Sequence, residues 1–313
     1  MNSNEEKFAD MDYVDVNVTK LLKLFYKNKI LIIVITLFFA ISSVFIALSL
    51  PNIYKSSATL YISNSSSDAG ALSSIASRYG GLASLAGVSL PSSDPKNKGE
   101  LAIQTIQSRE FLKRLLEFED VLPSIMAQKS FDMETRKITF DPKIYDAKKN
   151  QWVRKVKKNQ SKIPSYIETH EFYLDSLEIK EDKLTGYITL SYEHISPDFA
   201  YYFLDLIIRE VNLLTKERDL LESSKALDYL NEAYLESNTK EVKSAISQII
   251  EEQLKTQMTA NISSEYLLRM LDSPFLPEKK SKPVRSIICI IITFFGGILS
   301  LLIVLIRERV SQN

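Results

Sequence analysis

The chain has 313 residues, with 39 Lys+Arg against 39 Asp+Glu, 45% hydrophobic residues and a single Cys. At about 150 residues per domain, this length predicts two units or one elongated one. Balanced charge argues against the basic surface that a phosphate backbone demands. One Cys excludes an intrachain disulfide framework and a Cys-based zinc site, and two His leave little imidazole for metal or triad chemistry.

Residues 1–29 form a tail that ends in Lys20, Lys23, Lys27 and Lys29. Residues 30–50, ILIIVITLFFAISSVFIALSL, carry no charge. A helix of 21 residues reaches about 31 Å, which matches a hydrocarbon core of about 30 Å. A secretory signal has a shorter apolar run, of about 7–15 residues, and starts sooner, so a retained anchor is expected. Basic residues crowd its N-terminal side and only Lys55 follows closely, which places the N-terminus in the cytoplasm. Residues 286–306, SIICIIITFFGGILSLLIVLI, make a second span with Cys289 inside it. Two spans return the C-terminus, residues 307–313, to the cytoplasm. The short tails leave no room for a catalytic or DNA-binding domain, and residues 51–285 are expected outside.

Within that region, residues 51–195 read as an α/β base. Tyr54, Ser56, Ala58, Leu60 and Ile62 alternate onto one face of a strand. Residues 65–90 are rich in Ala, Gly, Ser and Leu. They read either as a flexible insertion or as a segment packed on neighbouring subunits or lining a shared cavity. Residues 100–119 predict a helix in two pieces with Ser108 as a cap. KITF at 137–140 is a candidate strand, and 177–180 with 184–192 a strand pair turning at 181–183. The Lys-rich run from Ile144 to His170 holds the one Trp, in QWVRKVKKNQ. It is too short for nucleic-acid binding and reads as a solvated helix face, with a polyanionic glycan as a minor alternative.

Residues 196–272 read as the long helices of a stalk. Ser196 caps, Pro197 takes the first helical position, Asp198 lies in the first turn, and no Pro or Gly follows through Glu236. Leu206, Leu213, Leu220, Leu227 and Tyr234 recur every seven residues. A helix of about 40 residues reaches roughly 60 Å, beyond a compact domain. The pattern breaks at 237–239, where Asn238 and Glu241 have capping-box spacing, and resumes with Val242, Ala245, Ile246, Ile249 and Ile250. The chain either reverses there or breaks and continues in one direction, and the second geometry suits a helix that must return toward the membrane. A leucine stripe of this length requires a partner, within the chain or from other copies. Residues 273–285 contain Pro274, Pro277 and Pro283, which enforce an extended connector. Its basic residues would meet anionic headgroups.

The two spans, Pro51-Asn52-Ile53-Tyr54, SYEHISPDFAYYFLDLIIREVN, EEQLKTQMTANISSEYLLRMLDSP and PFLPEKKSKPVRS occur in an order that resembles the polysaccharide co-polymerases of the Wzz, or chain-length determinant, family. SSIASRYGGLASLAGVSL resembles their variable loop. The likeness runs along nearly the whole chain. Span two offers only Gly296-Gly297 as paired small residues, enough for close approach of another span.

The resemblance implies an α+β membrane protein of the bacterial inner membrane, with a periplasmic domain of mixed α/β base and projecting helical stalk. It implies a homo-oligomeric ring that sets how many units a membrane-embedded polysaccharide polymerase adds to a lipid-linked glycan such as O antigen. The growing glycan and the lipid bilayer would be further contacts. No catalytic residue, cofactor or nucleic-acid partner is expected. Leu213, Leu220 and Leu227 are the candidate assembly residues, and Pro274, Pro277, Pro283, Lys280 and Arg285 the candidate membrane-proximal coupling residues. A two-span periplasmic sensor or a capsule-export accessory protein is the alternative; a sensor needs a cytoplasmic output module. The capsule regulators with a fused kinase carry a nucleotide-binding loop, and no G-x-x-x-x-G-K-[ST] occurs here. A glycan-acting enzyme is disfavoured, since adjacent carboxylates such as Glu251-Glu252 do not face each other on a helix.

Overall fold

The computed structural model describes residues 18–62, 95–157 and 160–312. The Ala/Gly/Ser segment at 65–90 lies outside these. Two units form, Met1–Pro51 with Pro283–Asn313, and Asn52–Lys282.

The first unit contains helices α1 (Val18–Lys27), α2 (Lys29–Ser49) and a long C-terminal helix at Arg285–Gln312. The apolar stretches Lys29–Ser49 and Arg285–Glu308 are long enough to cross a bilayer. Only 11% and 17% of their most apolar windows are buried, which is not how a soluble core helix looks. Where the C-terminal helix packs on α2, the buried residues include Ser43, Ala47, Ser300 and Val304. Small residues let spans approach closely where hydrophobicity supplies no drive. The Ser43 and Ser300 hydroxyls donate within their own helices, to Ala40 O and Gly297 O, both at 2.7 Å. A Cβ on Gly296 would stand 2.5 Å from Phe39 Cβ, whereas one on Gly297 would meet nothing within 4 Å. One glycine of the pair therefore makes the close approach.

The second unit is built on a four-stranded antiparallel sheet. Strand β1 (Tyr54–Ile62) is followed by α3 (Pro95–Ile106), α4 (Arg109–Leu115) and α5 (Val121–Met126). Then come two small hairpins, β2 (Gln128–Asp132) with β3 (Lys137–Phe140) and β4 (Tyr145–Asp146) with β5 (Gln151–Trp152). Helix α6 (Tyr166–Ser176) leads into β6 (Leu177–Glu181) and β7 (Ile188–His194), and α7 (Pro197–Glu236), α8 (Lys240–Ile262) and β8 (Leu268–Asp272) complete the unit. The C-terminal helix of the first unit is α9. The sheet order is β6-β7-β1-β8, with Tyr54 opposite His194 and Leu60 opposite Ile188.

Tyr54, Ser56, Ala58 and Leu60 are buried, as their alternation requires, and Ile62 is half-buried. They face a core in which Phe199, Phe203, Leu204, Ile207 and Val211 of α7 meet Ile106, Phe111, Leu112 and Tyr173. Truncating the fully buried Phe203 to Ala would cost roughly 3–5 kcal/mol. Local signals formed as read. The Ser108 hydroxyl accepts from Phe111 N, and that of Ser196 from Phe199 N, each at 3.2 Å.

Several local expectations are corrected. Residues 196–272 are not helical throughout: α8 ends at Ile262 and Leu268–Asp272 is strand β8, paired with β1. The β6–β7 turn is longer than residues 181–183: Asp182 N–H donates to Tyr187 O, and Gly186 takes φ 72°. Leu184 consequently lies in the turn, 97% exposed. The Lys-rich run from Ile144 to His170 is not one helix face: its start forms the β4–β5 hairpin, with Tyr145 paired to Trp152, and its end, from Tyr166, belongs to α6. At 237–239 the chain reverses. Lys243 Nζ lies 5.1 Å from the Tyr234 ring near that bend, and Tyr266 beyond α8 reaches back to Asp219. Asn238 forms no capping box, because α8 begins after Thr239, which makes no side-chain cap bond.

Candidate functional site

Nothing among the described residues converges as a metal site. The organised feature of the second unit is the α7–α8 hairpin and its fastening to the sheet. Helix α7 has 40 residues, and its first half is buried against β1 and β7 while its second half packs on α8. Asn212 stands at the changeover, 3% exposed. Its Oδ1 accepts from Leu267 N at 2.7 Å and Leu268 N at 2.8 Å. Its Nδ2 donates to Leu268 O at 2.9 Å and Ile208 O at 3.1 Å. One amide thus saturates its own capacity and holds the start of β8 against α7.

Two further contacts fix the same level. The Tyr266 hydroxyl donates to Asp219 Oδ2 at 2.9 Å. Burial first, then the Asp219 charge, raises the pKa of that phenol. Arg114 of α4 donates to Glu210 at 2.7 Å and to Glu217 at 2.9 Å. These bonds outweigh desolvation and raise the guanidinium pKa. Glu210 is 8% exposed, so without Arg114 its carboxylate would be a buried, uncompensated charge.

Above this clamp the buried residues of the intrachain seam are Leu230 together with the small or polar Ser223, Ala245, Gln253 and Ala260. Along the seven-residue leucine stripe, Leu206 is buried in the sheet-facing core, Leu213 is 41% exposed, and Leu220 and Leu227 are half-buried, at helical spacing from the buried Ser223 and Leu230. Leu221, Leu235, Leu254, Met258 and Ile262 are also exposed, Ile262 at 81%.

The connector continues the edge strand irregularly. Asp272 pairs with Thr59 and Lys282 with Ile53. Pro274 and Pro277 supply no N–H, so regular pairing is impossible and the edge cannot template further strands. Instead the Ser56 hydroxyl donates to Phe275 O at 2.7 Å, Ile53 N to Lys282 O at 2.9 Å, and Lys282 Nζ to Glu193 at 2.6 Å. Pro277 is buried, Pro274 and Pro283 half-buried, Lys280 exposed and Arg285 half-buried at the start of α9. Pro274, Pro277 and Lys280 belong to the second unit, Pro283 and Arg285 to the first. Lys282 forms an ion pair with Glu193.

Asn212, Arg114 and Tyr266 were not singled out by sequence reading. Asn212 had one available signal, an amide within the apolar run LIIREVNLL.

Compared with known proteins, residues 14–117 match the family model Wzz, described as chain length determinant protein. That region takes in α1, α2, β1, α3 and α4. The match agrees with the resemblance read from the sequence. Among solved structures, a full-length bacterial polysaccharide co-polymerase is similar at 14% identity and TM-score 0.40, over 96% of this chain and 99% of that one. A fragment of WzzB, a polysaccharide co-polymerase from Salmonella Typhimurium, is similar at 13% identity and TM-score 0.30, over 74% of this chain and all of the fragment. No curated relative matches.

Proposed function

We propose that this protein is a non-catalytic regulator of polysaccharide chain length. It acts as a homo-oligomeric scaffold in the bacterial inner membrane, with both termini cytoplasmic and the Asn52–Lys282 unit in the periplasm. The match of residues 14–117 to the chain length determinant family carries this reading. The mixed α/β unit between two candidate spans supports it. The scaffold biases a membrane-embedded polymerase that extends a lipid-linked glycan, O antigen or a related polymer, and meets the growing glycan. Leu213, Leu220 and Leu227 contribute to contact between copies: Leu213 is exposed and the other two keep part of their surface in solvent, which leaves them available to another chain. The prolines of the connector, with Lys280 and Arg285, couple the periplasmic unit to the spans.

Deleting the gene and resolving surface polysaccharide on a gel tests this. Loss of a preferred length with the sugar retained is expected, and complete loss of polymer would point to synthesis or export instead. Leu220→Glu with Leu227→Glu should lower the particle mass in detergent; an unchanged mass would remove both positions from the interface.

A further inference from the structure

Residues 141–162 contain eight Lys/Arg and two Asp in a chain of zero net charge. The structure folds much of this run into one basic surface. Tyr145 and Trp152 pack at 5.0 Å between ring centroids across the β4–β5 pair. Asp141 and Asp146 accept from the backbone N–H groups of Lys143 and Lys148 at 2.9 and 3.1 Å, closing turns. Arg154 is held by Glu168 and donates to Lys162 O at 2.7 Å, which ties the strand after β5 to the approach to α6. Lys148, Lys149, Lys155, Lys157 and Lys162 are exposed, and none shares a salt bridge among the described residues. The same surface leaves apolar groups in solvent: Val153, Ile163, Tyr166 and Ile167 are 38–57% exposed.

Its place within the Asn52–Lys282 unit is also fixed. Asp141 N–H donates to Ala127 O at 2.8 Å, at the end of α5. Ser124 O of α5 accepts from His194 at 2.9 Å. His194 pairs with Tyr54, next to the Ile53–Lys282 bridge where the chain enters and leaves the unit.

We propose that this surface is a peripheral docking site for anionic lipid headgroups of the bilayer that anchors the chain. Lysines amid exposed aliphatic and aromatic groups suit a headgroup layer, where phosphates meet the charges and the interface takes up the apolar groups. A soluble polyanion would leave the aliphatic groups unused. Tethering through the spans supplies lipid at high effective concentration, so weak individual contacts suffice. The proposal rests on α2 and α9 spanning a membrane and is independent of the chain-length reading.

Trp152, the one tryptophan in the chain, reports on the surface directly. The full chain is placed in nanodiscs of phosphatidylglycerol or of phosphatidylcholine, each doped with headgroup-spin-labelled lipid, and Trp152 emission is read. Quenching is expected in phosphatidylglycerol. It should fall about threefold or more when salt rises from 0.1 to 1 M, as the Debye length drops from about 10 to about 3 Å, and similarly in Lys148→Glu/Lys149→Glu at low salt. Equal, salt-insensitive quenching in both lipids would overturn the proposal. An emission shift with dextran sulfate but no quenching by phosphatidylglycerol would also overturn it and assign the surface to a polyanionic chain. Co-elution of the chain with the discs reads anchoring separately, and its failure would overturn both the proposal and the membrane reading beneath it.

Discussion

Replacing Asn212 with Leu removes the amide that fastens β8 to α7 while keeping similar volume. The N–H groups of Leu267 and Leu268 and the carbonyl of Leu268 all lose a partner. Ile208 O retains its helical bond from the backbone of residue 212, so its loss is minor. Buried groups left unsatisfied cost about 1–3 kcal/mol each. Because the three share one site and relax together, a total on the order of 3–5 kcal/mol is expected rather than the full sum. For a unit of this size 1 kcal/mol corresponds to roughly 2–4 °C, so the melting midpoint should fall by on the order of 10 °C. Asn212→Asp keeps the two acceptor bonds but sets an oxygen against Leu268 O, and should fall between wild type and Asn212→Leu. The assay is thermal unfolding of the full chain in nanodiscs, with hydrogen exchange at Leu267 and Leu268. Exchange at these amides should accelerate before global unfolding. If Asn212→Leu melts within about 1 °C of wild type, with exchange at the two amides unchanged, the clamp has been misread.

His194 is buried and neutral, with Nε2–H donating to Ser124 O and Nδ1 accepting from Ser196 N; desolvation lowers its pKa to about 4. The unfolded chain binds a proton more readily, so this stabilisation is complete above about pH 6.5 and is lost as pH falls towards 4, by ~3 kcal/mol in total. His194→Gln should flatten that part of a stability–pH curve; an unaltered curve would contradict the assignment. Gly296→Ala should force α2 and α9 apart and lower their melting or protease resistance, while Gly297→Ala, with open space around it, should be silent. Arg114→Met should cost about 3 kcal/mol by stranding the Glu210 charge, and the double change with Glu210→Leu should recover part of it; a strictly additive double-mutant cycle would exclude coupling.

How much was legible depended on how local each cause is. The Ser196 cap, the Pro197 start and the alternation from Tyr54 to Leu60 formed as read, since each is decided within a few residues and one periodic face. Reversal at 237–239 was left open because a hairpin and a straight continuation present the same apolar spacing on α8. The strand pair ending in β7 was misregistered because the turn depends on Gly186 at positive φ, and the apolar Leu184 looks like a strand residue until that turn is known. Charge marks the run from Ile144 to His170 as solvated, yet it cannot distinguish helix from strand; the cross-strand pairing of Tyr145 with Trp152 decides its first part. Asn212 was invisible for a related reason. Its partners lie 55 and 56 residues along the chain, and nothing near it in sequence shows that α8 will bring them back. The leucine spacing marks a stripe, but only the structure shows that Ser223, Ala245, Gln253 and Ala260 are buried in the intrachain seam with Leu230.

The most direct test of regulation as opposed to synthesis is to titrate expression of this chain in cells with a fixed level of polymerase, measuring total repeat-unit mass and the length distribution together. A length regulator predicts constant total sugar, with the distribution moving from broad to a preferred length as the chain accumulates. Total sugar rising in proportion to the chain, at unchanged length distribution, would contradict it.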